Sequence, residues 1–264
     1  PWPTLGGLTS DARQAIAPPW PSLVISAGRR SAPVARWLGR RGAHLVHCMR
    51  PGFAAAAFDL LVIGRHDAPE TAPNIFPILG ACHRLSPHGL ALARDDWPAF
   101  GALPSPRIAL VIGGPVRAIG MNAGVAARIA RQVAGFAGSI LATTSRRTGP
   151  AAAAAVAEAL AGHAAVLHRW DEGGRNPYAA MLAWADAVVV TGDSTSMVSE
   201  ALATTVPVFI ADPGNLGDRH KRLAETLFAA RQARPLDAAP APFERAPLDE
   251  SARVVAEIRA RGWA

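Results

Sequence analysis

The sequence predicts an α/β chain built as two Rossmann-like domains with parallel sheets. Three observations carry that expectation. Apolar runs of strand length end in Gly, Ser or Asp, and most are followed by a stretch with helical periodicity. The runs are apolar throughout rather than alternating, as strands covered on both faces are. And 264 residues, 50% of them hydrophobic and 18% charged, divide more naturally into two cores than one.

In the first half, SLVISAG (22–28) reads as a strand and is followed by a helix over 32–41. AHLVHCM (43–49) is a second strand, FDLLVIGRHD (58–67) a third, and NIFPILG (74–80) a fourth before a helix near 87–96. This set is short by at least one strand and helix, so residues 1–102 are expected to form an N-terminal domain lacking its first strand and helix. The segment DDWPAFGALPSPR (95–107), with three prolines, reads as the linker.

The second half is more regular. RIALVIGG (107–114) leads to a helix over 121–136, with Val125, Ile129 and Val133 on one face. SILATTS (139–145), an alanine-rich helix over 150–162, AVLHRW (165–170) and a short helix over 178–185 follow. AVVVTGDS (187–194), a helix over 196–204, VPVFIAD (206–212) and a helix over 218–230 complete the pattern. Residues 103–248 are therefore expected to form a C-terminal nucleotide-binding domain of five strands. A last helix over 250–262, with Asp249 as N-cap and Val254, Val255 and Ile258 on one face, is free to return to the first domain as residues 249–264.

Charge excludes little by itself. The formal net charge is +7, yet Lys221 is the single lysine and alanine dominates the composition, a bias that GC-rich coding produces and that points to a bacterial chain. The arginines are scattered, as in Arg29/Arg30, Arg40/Arg41 and Arg146/Arg147, without a basic stripe interleaved with aromatics, so nucleic acid is not the expected partner. No run of ~18 apolar residues could span a bilayer. A cytoplasmic location is the expectation, compatible with peripheral membrane contact. Cys48 and Cys82 are too few for a disulfide framework.

In open parallel sheets ligands bind beyond the C-terminal strand ends. The richest strand end is VVVTGDSTSMVSEAL (188–202), where Gly192 allows a tight turn after which Asp193, Ser194, Thr195 and Ser196 open a helix. Unpaired amides there favour an anion, and a diphosphate is the natural guest. Glu200, one turn on, can accept hydrogen bonds from sugar or ribose hydroxyls. The plainer alternatives are N-capping by the hydroxyls and an ordinary capping box or ion pair for Glu200; Met197 and Thr204 at the partner positions fit neither use of the acid.

Gly113 and Gly114 would let backbone approach a phosphate, or form an ordinary βα turn. Ser145, Arg146 and Arg147 follow the second strand, where a guanidinium fork matches phosphate oxygens. Asn176 can cap the next helix with Pro177 at its first position, and Tyr178, the only tyrosine, would face a base or fill the core. His66 and Asp67 are the candidate general base. GxGxxG, Walker A, HExxH and GxSxG patterns are all missing, which removes the main support for a redox Rossmann enzyme, a P-loop NTPase, a zinc protease and an α/β-hydrolase. No metal site is expected.

SAGRRSAP, GRHD, PRIALVIGGP, TTSRRTG, NPYAAMLAWADAVVVTGDSTSMVSEALATTVPV and PLDESARVVAEIR together resemble the mitochondrial-fission "elongated mitochondria" family, over about residues 22–262. That resemblance implies a GT-B glycosyltransferase-like architecture. It implies Glu200 on the ribose and Ser194 to Ser196 on the diphosphate of a nucleotide-sugar, UDP-linked in many such enzymes and used as substrate with no separate cofactor. Plant members of the family are implicated in recruiting a dynamin-like GTPase. Two departures stand out: the family usually carries an earlier strand and helix, and the turn before Pro207 reads TTV where a Gly-Lys pair is common. Two functions are thus expected to compete: a metal-independent glycosyltransferase with an unknown acceptor, and a non-catalytic scaffold that binds a protein partner.

Overall fold

The computed structural model describes residues 2–115, 121–237 and 240–264. Part of the Pro/Ala-rich loop before the last helix lies outside them. Packing divides the chain into two units, Pro1–Cys82 with Glu250–Ala264, and His83–Asp249.

The first unit begins with α1 (Ser10–Gln14), which the sequence did not signal. There follow β1 (Leu23–Ala27), α2 (Ala32–Gly39), β2 (His44–Cys48), β3 (Leu60–Gly64) and β4 (Ile75–Ile78). The four strands pair in parallel in the order β1-β2-β3-β4. β3 (LLVIG) is buried along its whole length, as a strand covered on both faces should be. Leu61 and Ile63 face one core with Ala32, Ala35 and Leu45. Leu60 and Val62 face the other.

The second unit contains α3 (Pro87–Asp96), β5 (Arg107–Ile112), α4 (Ala123–Ala134), β6 (Ser139–Thr144) and α5 (Pro150–Ala159). It continues through β7 (Ala165–His168), α6 (Tyr178–Trp184), β8 (Ala187–Thr191), α7 (Thr195–Ala201), β9 (Val208–Ala211), α8 (Asp218–Ala229) and the two-residue β10 (Arg234–Pro235). Its sheet is parallel throughout, ordered β10-β9-β8-β5-β6-β7. The chain winds outward from β5 to β7, then returns to the other side of β5 as β8 and winds outward again. The winding therefore reverses between β5 and β8. α4 and α5 bury Ile129, Val133 and Val156 against Leu110, Ile112 and Ala142.

The expected linker behaves differently. Trp97 and Phe100, in and beside a 3-10 turn over Pro98–Ala102, pack with Leu141, Ala180 and Met181 of the second unit. The expected boundary at 102/103 thus falls inside that unit. The prolines marked a break in regular structure, but the aromatic anchors decide where the segment packs.

The last helix, α9 (Glu250–Ala260), packs on the first sheet, with Val254 and Ile258 against Val46, Leu60, Val62 and Ile78. Glu250, 2% exposed, accepts the Leu79 N–H at 3.1 Å and pairs with Arg253. Trp263 stacks on His44 with centroids 4.7 Å apart. No helix among the described residues is long and apolar enough to cross a membrane.

Candidate functional site

A doubly wound sheet leaves a crevice at the C-terminal strand ends where its winding reverses, because the two flanking loops depart to opposite faces. Here that point lies between β5 and β8. The residues just past these strands are Gly113 and Gly114 on one side and Gly192, Asp193 and Ser194 on the other.

The two sides are tied by a hydrogen-bond chain. The Gly113 N–H donates to Thr191 Oγ1 at 2.8 Å, and that hydroxyl donates to Asp193 Oδ1 at 2.8 Å. Close approach explains the glycines: a Cβ on Gly113 would come within 2.4 Å of Asp193 Oδ1, and one on Gly114 within 2.1 Å of the Arg147 carbonyl oxygen. Both are the close-packed kind of glycine, where backbone meets backbone or a fixed side chain.

The turn after β6 is closed on itself. Thr148 Oγ1 donates toward the Gly113 carbonyl at 2.6 Å and accepts the Ser145 N–H at 2.9 Å, and Ser145 Oγ accepts the Arg147 N–H at 3.2 Å. Ser145 and Thr148 are therefore spent on holding the turn. What the turn presents is Arg146, exposed, and Arg147, half-buried. Beside it a cavity of about 110 Å³ is lined by Ser145, Arg146, Gly149, Trp170 and Asp171 among others. Trp170 is 58% exposed, and its backbone N–H donates to Thr144 Oγ1 at 3.1 Å.

Ser194 is the N-cap of α7: its hydroxyl accepts the Met197 N–H, at 3.5 Å. With seven residues α7 has a small dipole, so what it offers an anion is the local N–H groups near Thr195 and Ser196. Ser194 is buried, Thr195 half-buried and Ser196 exposed. Glu200 is half-buried, and its Oε2 accepts the Tyr178 hydroxyl at 2.9 Å. Burial raises the Glu200 carboxyl above its ordinary range, against the opposing pull of Tyr178 and His83. Burial, with the neighbouring acid, also holds the Tyr178 phenol well above its usual value. Tyr178 is thus a hydrogen-bond donor to the acid, a use the sequence did not suggest. Asn176 Oδ1 accepts the Tyr178 N–H at 3.0 Å, with Pro177 at the N-cap of α6 rather than one place inside it.

Asp193 is 6% exposed. Burial raises its carboxyl, partly offset by Thr191, Arg147 and His220. The His220 imidazole is pushed down, first by burial and next by Arg219. Sequence reasoning passed over Thr191 and His220. The signal for Thr191 was available: Thr191 and Asp193 are two apart at a strand end and project to one face.

His66 and Asp67 belong to the first unit, in a 3-10 turn over Arg65–Asp67 directly after β3. His66 is 2% exposed, and its Nε2 lies 3.8 Å from Asp67 Oδ2. Its ring lies so close that a Cβ on Gly64 would fall 2.2 Å from Cε1. A ring enclosed in this way does not present a nitrogen to solvent for proton abstraction, whereas Asp67 keeps some exposure.

The family pattern described as "Mitochondrial fission ELM1" matches residues 3–262. The chain is 28% identical to Mitochondrial fission protein ELM1 of Arabidopsis thaliana, over 97% of this chain and 68% of that protein. It is 26% identical to Uncharacterized protein RP120 of Rickettsia prowazekii (strain Madrid E), over 90% of this chain and 78% of that one. Among solved structures, a protein from Listeria monocytogenes described as a candidate UDP-N-acetylglucosamine 2-epimerase superposes with a TM-score of 0.52 at 14% identity, covering 94% of this chain and 67% of that chain. MurG of Acinetobacter baumannii gives 0.46 at 13%, covering 92% and 66%. The first of these likenesses shows the fold, two Rossmann-like units of the GT-B kind. The chain spans about two thirds of the length of the plant protein and of both solved structures.

Proposed function

This chain belongs to the mitochondrial fission ELM1 family, and on that premise we propose that its second unit binds a nucleotide-diphosphate-sugar, with metal-independent sugar transfer as the chemistry. The observation that supports this best is the point of reversed winding: two glycines that cannot carry a side chain, set beside a strand end rich in hydroxyls and flanked by Arg147. Backbone N–H groups and a guanidinium are donors only, which suits a diphosphate and not a cation. Arg146 and Arg147 then take the role a metal would have in stabilising the leaving diphosphate. Glu200, with Oε2 fixed by Tyr178, offers its other oxygen to a ribose hydroxyl. The exposed face of Trp170 offers a surface to the base.

Calorimetric titration with UDP, GDP, ADP and their glucose conjugates tests the reading. Binding of at least one at submillimolar concentration is expected, weakened about tenfold by Glu200→Ala, the scale of one lost hydrogen bond to a charged group. Silence from every nucleotide at millimolar concentration would overturn it. One observation favours a second reading, a scaffold without chemistry: Tyr178 satisfies one oxygen of Glu200 from within the protein itself. On that reading Glu200→Ala lowers stability and leaves any nucleotide affinity untouched.

A further inference from the structure

Asp193 is left over by the reading above. Its Oδ1 is held by Thr191, but Oδ2, also buried, has no hydrogen-bond partner among the described residues. Buried carboxylate oxygens almost always find a donor, and one that does not asks for an explanation. The carboxylate is closely fitted on its other side: a Cβ on Gly113 would fall 2.4 Å from Oδ1, so the two positions are matched to each other. Among the described residues, the titratable groups that act on the carboxylate are Arg147 and His220.

A carboxylate oxygen beside a diphosphate repels it, so Asp193 is not a phosphate ligand. The group that fits is a donor: a hydroxyl can give one hydrogen bond to Oδ2 while Arg147 faces the neighbouring anion. We infer that Asp193 is a specificity-determining residue whose Oδ2 accepts a hydrogen bond from a hydroxyl of the sugar carried on the diphosphate. This rests on the nucleotide-sugar reading and adds to it which part of the ligand the reversal point reads.

The test compares two ligands on two proteins. Wild type and Asp193→Asn are titrated with a nucleoside diphosphate and with its sugar conjugate, UDP and UDP-glucose first, then the GDP and ADP pairs. The expected result is a loss of about tenfold or more for the conjugate in Asp193→Asn, with the bare diphosphate changed less than about twofold. Equal loss for both ligands would mean that Asp193 only shapes the Gly113 turn, and unchanged binding of both would mean that it reads nothing; either overturns the inference alone. Failure of wild type to bind any pair overturns the nucleotide reading itself. If Asp193→Asn does not fold, the unaltered protein supplies the second measurement. Deoxy analogues of the conjugate that binds best should show one hydroxyl whose removal costs about tenfold, and a flat series overturns the inference.

Discussion

At the scale of single residues, the rim of the second sheet is a place where stability is given up. Asp193 is buried with a raised carboxyl pKa, so the native state holds its proton more tightly than the unfolded chain does. Between the ordinary carboxyl value of 3.8 and the raised folded value, native stability therefore falls as pH climbs, and the loss is complete above the folded value. Asp193→Asn removes that slope. Its unfolding free energy, measured by urea titration between about pH 4 and pH 7, should be flatter than that of wild type and no lower at the neutral end. Gly114→Ala is expected to act in the opposite sense. Its methyl meets the Arg147 carbonyl, a backbone atom that cannot swing away, and overpacking of this kind costs about 1–3 kcal/mol. Thermal melts would show it. These residues also mark how far a sequence can be read. That Gly113, Gly114 and Asp193 lie just past strand ends, with Glu200 on the helix that follows, was legible because apolar runs of strand length stop at those residues. The Tyr178–Glu200 bond was not, since it joins residues 22 apart whose meeting depends on how α6 and α7 are set against the sheet. The enclosure of His66 was equally invisible: a polar residue after a strand looks exposed until the fold closes over it.

At the scale of elements, α7 is short and its position depends on what holds its far end. The carbonyls leaving that helix have no partner within it, and Arg245 supplies one from a distant loop. Its guanidinium donates to the Val206 carbonyl at 2.8 Å, Leu202 at 3.1 Å and Thr204 at 2.7 Å, and burial brings its pKa down to about 10. Lysine cannot reproduce a planar fork spread over several acceptors. Arg245→Lys should therefore lose about 2 kcal/mol in urea unfolding by leaving buried carbonyls unsatisfied, and should weaken the nucleotide binding proposed at the opposite end of α7. The regular elements themselves were readable, because uninterrupted apolar runs bounded by Gly and Ser leave a buried strand as the natural reading. β10 was not: two residues carry no period, and only the edge of β9 makes a strand of Arg234 and Pro235. Arg245 gave no sign either, as an arginine in a proline-rich loop ordinarily faces water.

At the scale of the whole molecule, the first unit is assembled from both parts of the chain, and α9 buries Val254 and Ile258 in its core. Removing residues 250–264 uncovers that face and the Leu79 N–H that Glu250 receives. Hydrogen exchange should then show protection lost across β1 to β4 and kept across β5, β6 and β8, whose partners lie within residues 83–249. Protection kept in both sheets would mean that α9 is an ornament on a self-sufficient core.

The clasp formed by α9 also fixes an order of events on the ribosome. Domains ordinarily complete themselves in the sequence in which they emerge. Here the sheet that is translated first lacks its covering helix until α9 has left the exit tunnel, while the sheet translated second has every residue of its unit beforehand. The nascent first sheet therefore stays half-covered until α9 emerges, with Leu60 and Val62 open to chaperones, and a chain halted short of residue 250 has its second unit finished and its first unit not.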